Sequence, residues 1–359
     1  MNRQALHATV AVTGLNATDS PAPGTGVIRC LRADPGWRGR IVGLAYDALD
    51  TAVYDASLVD EAHLIPYPAA GCTAVLTRLL EVHGRTPIDV LLPTLDTELS
   101  NMVAIAPELE RCGIATLLPR AESLRLTSKL ELDAFCRTHG LRSPPTVVLE
   151  GPRHLEALPF AYPIAVKGAW HGAEIARGPE EAAHAYARIR KRWGSPVLAQ
   201  QVVEGEEYDV LMLGDGAGRL IGSVAMRKMG VTDSGKAWSA VTVSDTALHQ
   251  LAERAFAALG WRGALELELI RDEVTGAYHL IEINPRFPAW CYLSVGAGAN
   301  LAAALVRIAL GETVEPFGQA RAGVAFVRHA VDLICSLTTL EQLVTRGSIY
   351  HDRGASSDA

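Results

Sequence analysis

Two short stretches place polar side chains at every second position of an otherwise apolar run. In "YHLIEINPRF" (Tyr278–Phe287) the polar residues are Glu282, Asn284 and Arg286. In "ALELELI" they are Glu266 and Glu268, alternating with leucines. Successive side chains of a strand point to opposite faces. An acid, an amide and a guanidinium therefore share one face of the first stretch, and two acids share one face of the second. A hairpin turn near Val274–Thr275 would bring Glu268 almost opposite Glu282. Facing like charges destabilise a sheet, so a compensating cation is expected. A hard divalent ion such as Mg²⁺ takes oxygen ligands, and two carboxylates with an Asn carbonyl suit it. Arg286 lies between Pro285 and Pro288, where the strand must leave its sheet; there its guanidinium is matched to a phosphate oxygen. The competing reading is a solvent-facing sheet surface of alternating charge, which Glu266 and Glu268 alone fit as well.

Further candidates lie upstream. Lys129 stands in "TSKLELDAFCRTHG", where Ser128 and Glu131 have the spacing of a capping box and Gly140 that of a helix stop. Alone, a lysine at the first position of such a helix reads as a surface residue. Lys167 ends the apolar run "PIAV" and precedes Gly168 and Gly172. Glycines let a loop approach phosphates and an ammonium supplies a point charge, although "GAWHGAE" is no Walker sequence. In "AQQVVEGEEYDV" an apolar strand stops at Val203 and bends at Glu204–Gly205. Backbone groups there, around Gln201 and Val203, could pair with an adenine edge, and Glu207 could accept ribose hydroxyls; taken alone, the segment is a hairpin with charges. "VAMRKMGVTDSGKAWSAVTV" offers Arg227 or Lys228 as an anion contact, without a choice between them. No convincing Ser/His/Asp or Cys/His arrangement is visible.

These residues need a scaffold, and the patterning supplies one. Over residues 1–118, apolar strands ("ATVAVTGL", "RIVGLAY", "IDVLLPTL", "IATLLP") alternate with helices, which predicts a parallel sheet covered on both faces, a Rossmann-like α/β domain. Its glycines (Gly14, Gly24, Gly26) do not have the G-x-G-x-x-G spacing, so a tight βα turn is the simpler reading. Residues 119–315 mix hairpins and helices, an α+β pattern: strands at "TVVL", "PIAVKG" and "PVLAQQVV", a hairpin around Gly214–Gly218, a long helix "DTALHQLAERAFAALG", the carboxylate hairpin and a final helix "NLAAALVRIALG". Residues 316–359 read as a smaller appendage.

The 359 residues suffice for two or three domains. With 49% hydrophobic and 20% charged residues the chain reads as globular, and a net charge of −7 argues against general nucleic-acid binding. No run approaches the roughly 18 apolar residues of a membrane span, and "MNRQALHATVAVTG" lacks a signal-peptide core, so a cytoplasmic protein with no membrane partner is expected. The six cysteines are scattered, without zinc or disulfide spacing.

Taken in order, Lys129, "PIAVKG", "QQVVEGEEY", "RGALELEL" and "LIEINPR" resemble the ATP-grasp superfamily, whose hallmark is a Glu-x-Asn-x-Arg strand with an acid or amide on its hairpin partner. The resemblance spans residues 1–315 and points toward carboxylate–amine ligases, the carbamoyl-phosphate synthetase large chain and biotin carboxylase. It implies a pre-ATP-grasp domain (1–118, including Asp96 and Glu98 in "LLPTLDTELS") followed by an ATP-grasp fold (119–315, lid about 130–200). It implies that Lys129, Lys167 and Lys228 or Arg227 contact ATP phosphates or substrate, that Gln201 and Val203 hold adenine and that Glu207 holds ribose. Glu268, Glu282 and Asn284 would bind Mg²⁺, and Arg286 would stabilise the transferring phosphoryl group. The implied reaction joins a small-molecule carboxylate to an amine through an acyl-phosphate; carboxyphosphate chemistry uses the same machinery, and a non-catalytic nucleotide-binding module is the rival of another class. A homodimer is one assembly the resemblance allows. Three features depart from the family pattern: Ser128 before Lys129, a lid loop "GAWHGAEIA" poor in glycine, and "RFPAW" after the motif.

Overall fold

The computed structural model describes residues 5–18, 21–232 and 235–351. The N-terminal part is built on four parallel strands, β1 (Thr9–Val12), β2 (Arg40–Ala45), β3 (Glu61–Leu64) and β4 (Val90–Leu92), in the order β3-β2-β1-β4. Helix α1 (Gly24–Arg32) connects β1 to β2, α2 (Cys72–Arg85) connects β3 to β4, and α3 (Asp96–Arg111) follows β4. Val10, Ala11 and Val12 are all fully buried, as a strand covered on both faces requires. Two details differ from the sequence reading. The segment "IATLLP" is not a strand: Ala115 makes one isolated bridge to Val90 before the chain turns away. Its carbonyls serve the second half of the molecule instead, since Arg262 donates to Thr116 O at 3.2 Å. Gly263, with φ +84°, lies so close that a Cβ would sit 2.4 Å from Leu117 O. The fourth parallel strand is instead β3, which lies outside the four stretches read above as strands and ends before Pro66 and Pro68.

Two short helices follow, α4 (Ala121–Leu126) and α5 (Leu132–Thr138). The expected capping box does not form. Ser128 Oγ accepts from Leu130 N at 3.2 Å, and its carbonyl accepts from the amides of Glu131 and Leu132. Residues 128–131 therefore make a turn, and Lys129 sits in that turn ahead of α5. A four-stranded antiparallel layer comes next: β5 (Thr146–Leu149), β6 (Ile164–Gly168), β7 (Ala173–Ala176) and β8 (Val197–Gln201), ordered β5-β8-β6-β7. Helix α6 (Pro179–Trp193) covers it with Ala182, Ala185, Tyr186 and Ile189, the spacing of one helical stripe.

The largest sheet has six antiparallel strands in the order β13-β12-β9-β10-β11-β14: β9 (Gly205–Asp215), β10 (Leu220–Val231), β11 (Ala237–Thr242), β12 (Arg262–Asp272), β13 (Tyr278–Asn284) and β14 (Ala325–Val327). One face is apolar throughout: Tyr208, Val210, Met212, Leu265, Leu267, Leu269, Leu280 and Ile283 pack against α5 and α7 (Thr246–Leu259). Asp245 caps α7 by accepting from Leu248 N at 3.0 Å, and Gly260 ends it in the left-handed region. The opposite face is split. Its far end (Leu211, Leu213, Val224, Met226) joins the core around α1 and α9 (Leu301–Ala309), which follows the four-residue helix α8 (Leu293–Gly296). Its near end carries the charged residues. The last residues serve both sheets. β14 extends the six-stranded one, while α10 (Leu337–Arg346) leads into β15 (Ser348–Tyr350), which pairs antiparallel with the outer edge of β3.

Candidate active site

The strand register decides which polar groups meet. Glu268 of β12 stands opposite Glu282 of β13 and opposite Asp209 of β9, while Glu266 stands opposite Asn284. Residues two apart on a strand share a face, so Glu207, Asp209, Glu266, Glu268, Glu282 and Asn284 form one acidic patch. Lys228 of β10 belongs to the same face, because its i−2 neighbour Met226 pairs with Asp209. Arg227 faces the other way and pairs at the surface with Glu206. The register thus settles which member of "RK" reaches the patch.

Lys228 is the hub of the patch. Its side chain is 5% exposed, and Nζ lies 2.8 Å from Glu207, 3.3 Å from Glu268 and 3.5 Å from Asp209. Burial alone would lower the lysine pKa, but Glu268, Asp209 and Glu207 outweigh it and raise it. Burial pushes the Glu268 carboxyl up, yet Lys228, the Asn284 hydrogen bond and Arg286 hold it below the ordinary range. Asp209 goes the other way: burial, then repulsion from Glu268, raises it well above the usual value. Its Oδ1 is buried without a hydrogen-bond partner.

A second layer organises the Arg286 end. Asn284 Nδ2 donates to Glu268 at 2.7 Å and to Glu266 at 3.0 Å, and its Oδ1 accepts from Arg286 Nη2 at 3.2 Å. Arg286 Nη1 donates to Glu266 at 3.2 Å, and its Nε donates to Asp96 at 3.1 Å. Burial would lower the guanidinium pKa; Asp96, Glu266 and Glu268 raise it. Trp290 Nε1 completes the ring by donating to Glu266 at 2.6 Å. Asp96 opens α3 in the N-terminal domain. Glu98 fixes that helix start by accepting from Thr94 N at 2.7 Å, Leu95 N at 2.9 Å and Thr13 Oγ1 at 2.5 Å. Arg286 is therefore held from both halves of the molecule.

The remaining predicted residues come from the turn before α5, from the four-stranded layer and from the link that follows it. Lys129 lies 3.3 Å from Glu282. Lys167 donates to Gln200 Oε1 at 2.6 Å, and burial pulls its pKa down while Glu282, Glu268 and Glu207 oppose the shift. Those three carboxylates place Lys167 over the same patch. Gln201 ends β8, donating its amide to Pro145 O at 2.9 Å, and Val203 lies in the three-residue link to β9. The structure thus gathers Lys129, Lys167, Lys228, Glu207, Glu268, Glu282, Asn284 and Arg286 about one cleft, with Gln201 and Val203 on its rim. Three participants were given no role from the sequence, Asp209, Gln200 and Glu266, although Glu266 was read on the face of Glu268; the bond from Trp290 to Glu266 joins them. Asp209 was detectable, since it alternates with Glu207 on an apolar strand. Trp290 was not, because its bond to Glu266 is a tertiary contact.

The donor set fits a hard divalent ion. Its atoms are oxygens, two carboxylates stand in register, and buried Asp209 Oδ1, 3.5 Å from Lys228 Nζ, accepts no hydrogen bond. Among the described residues no three His, Cys, Asp or Glu groups converge as a complete cage. Mg²⁺ suits such a site, since it takes one or two protein carboxylates and completes its shell with phosphates and water.

Together the six-stranded antiparallel sheet, the four-stranded antiparallel layer and the parallel N-terminal sheet form an ATP-grasp architecture, α/β followed by α+β. A family described as "ATP-grasp in the biosynthetic pathway with Ter operon" matches residues 194–330, so the chain carries an ATP-grasp domain. It is similar to D-alanine--D-alanine ligase of Chromohalobacter salexigens, 31% identical over 204 residues, which is 49% of this chain and 60% of that protein. The corresponding ligase of Halorhodospira halophila is 33% identical over 161 residues, 40% of this chain and 51% of that protein. The matches thus span less than two thirds of either relative. Among solved structures, biotin carboxylase from Campylobacter jejuni superposes with a TM-score of 0.66 at 16% identity, covering 85% of this chain and 71% of the other. L-amino acid ligase from Bacillus licheniformis gives 0.64 at 16% identity, covering 86% and 75%.

Proposed function

We propose that this chain is an ATP-dependent carboxylate–amine ligase that forms an acyl-phosphate and releases ADP and phosphate. The observation carrying this reading is the convergence of Lys129, Lys167, Lys228 and Arg286 on the Glu268–Glu282 pair, a constellation suited to phosphoryl transfer. The curated relatives, both named as ligases, support it. The pre-ATP-grasp unit is assigned to residues 1–118 and the ATP-grasp unit to 119–315, with the four-stranded layer as lid. Unpaired thiols at all six cysteines favour a reducing compartment, the cytoplasm. No helix among the described residues is long and apolar enough to cross a membrane.

In this scheme adenine lies against the Gln201–Val203 link, where free strand-end groups can read its edge, and Glu207 accepts the ribose hydroxyls. Lys129 and Lys167 leave their present partners for phosphate oxygens. Glu268, Glu282 and Asn284 would hold Mg²⁺, which would supply charge neutralisation on the phosphates. The substrate carboxylate oxygen attacks the γ-phosphorus, the bond to the ADP oxygen breaks, and Arg286 neutralises the equatorial oxygens as charge spreads. Such transfer needs positioning and charge stabilisation rather than a protein nucleophile. The amine then attacks the acyl carbon, phosphate leaves, and the amine gives up a proton. The lid layer shields the acyl-phosphate from water.

The test is ADP release measured across a panel of acids and amines, with mass spectrometry of the product and a separate bicarbonate arm. ADP formation that requires both an acid and an amine is expected. ADP released with bicarbonate alone would establish carboxyphosphate chemistry instead, and ATP binding without ADP from any pair would leave a nucleotide-binding module.

A further inference from the structure

Beside the phosphoryl site stand two arginines without a carboxylate partner among the described residues. Lys129, Lys228 and Arg286 each have one. Arg328 follows β14; its Nη2 reaches only the Ala289 carbonyl, at 3.4 Å, and its guanidinium stands 5.6 Å from the Phe326 ring centre. It is partly buried, and burial together with the like charge of Arg29 lowers its pKa. Arg29 is exposed on α1, three residues beyond Gly26 and so on the same helical face. That face lies against the loop after the Arg286 strand: a Cβ at Gly26 would sit 2.9 Å from Cys291 Sγ and 3.2 Å from Ala289 O. The Arg328 guanidinium therefore borders Ala289, three residues past Arg286, and Arg29, from the other half of the molecule, stands on the helix face packed against the same loop, near enough for its charge to act on Arg328.

Two uncompensated like charges held together by the fold are unfavourable in the empty state, and an anion between them reverses the sign. Guanidinium forks match carboxylate and phosphate oxygens alike. We propose that Arg29 and Arg328 form a two-arginine anion site, and that the acid activated by this chain is at least dianionic. One carboxylate is phosphorylated near Arg286, while a second carboxylate or a phosphate is held at Ala289. This rests on the ligase reading of the neighbouring cleft and adds the class of its acid substrate.

Calorimetric binding to the full chain, with Mg²⁺ and a non-hydrolysable ATP analogue present, tests the proposal. The probes are L-glutamate against L-glutamine and O-phospho-L-serine against L-serine. At least one dianion is expected to bind tenfold or more tightly than its neutral counterpart, and the pair showing it tells carboxylate from phosphate. Arg29→Gln and Arg328→Gln should each remove that preference; unchanged melting of the exposed Arg29→Gln variant excludes unfolding as the cause. The proposal is overturned if neither pair discriminates or if both variants keep the wild-type preference. The ligase reading fails separately. A chain that shows the arginine-dependent preference yet releases no ADP with any acid and amine refutes that reading, whereas ADP release with monoanionic acids only refutes the dianion.

Discussion

Lys228→Met replaces the hub of the acidic patch by an apolar side chain of similar length. In the wild type one ammonium, 5% exposed, is within 3.5 Å of Glu207, Asp209 and Glu268. Removing it leaves these carboxylates facing one another. Breaking a buried ion pair costs about 3–5 kcal/mol, and because Glu207 is partly open to water the lower end, ~3 kcal/mol, is expected at pH 8. The pH dependence has a definite sign. Lys228 has a raised pKa, so its stabilisation is fully present at neutral pH and is lost only in strong alkali. Without it, Glu268 loses the strongest of the groups that hold its pKa down, keeping Asn284 and Arg286, and Asp209, already raised, rises further. The folded variant then binds more protons than the unfolded chain, and its stability falls as pH rises above the ordinary carboxylate range of about 4. Urea unfolding at pH 5 and pH 8 should therefore show a gap from wild type that widens with pH while the slope m stays constant. Millimolar Mg²⁺ should narrow the gap, since Glu268, one of the three carboxylates left without the ammonium, is a proposed ligand of the ion. A gap below about 1 kcal/mol at pH 8, or one equal at both pH values, would refute the argument that these charges are buried together.

Glu282→Ala should abolish Mg²⁺-dependent ADP release while shifting unfolding by less than about 1 kcal/mol, because the side chain is 31% exposed; wild-type turnover would remove Glu282 from the metal site. Arg286→Ala should lower turnover far more than ATP affinity, and a loss confined to affinity would contradict a transition-state role. ATP affinity should fall with rising pH at a value below that of an ordinary lysine, because burial depresses Lys167; Lys167→Met should remove that inflection, and an unchanged profile counts against the residue. Trp290→Phe leaves Glu266 one donor short in a buried site, a loss of about 1–3 kcal/mol that thermal or urea unfolding should detect.

Much of the site was legible because a strand repeats every second residue. Alternation put Glu282, Asn284 and Arg286 on one face, but the turn alone would set Glu268 opposite Ile281; a bulge between Glu268 and Leu269 shifts the register by one residue and brings Glu282 opposite Glu268. Local turn chemistry was less legible. Ser128 Oγ reaches Leu130 N rather than Glu131 N, so a pattern equally compatible with a cap and a turn became a turn. Strand β3 escaped notice because "EAHL" has no continuous apolar run. Its buried Glu61 and His63 are stabilised by partners far away, including Ser348 at 2.8 Å from His63, which closes the N-terminal sheet with the end of the chain.

The sequence by itself determined the alternation of apolar and polar residues, and with it the identity of the phosphate- and metal-facing groups on each strand. That information is local, since the period of a strand suffices to establish it; the exact pairing across the hairpin needed a bulge that turn length does not give. Which strands lie side by side was decided only by the tertiary structure. Bringing β9 between β12 and β10 put Asp209 beside Glu268 and gave both to Lys228, while Arg227, its chain neighbour, was turned to the surface. Docking α3 and α1 onto the loop after β13 gave Arg286 its Asp96 partner and set Arg29 beside Arg328. Charges tens or hundreds of residues apart in sequence acquire partners and shifted pKa values only when burial removes the water between them, and no periodicity in the chain encodes that.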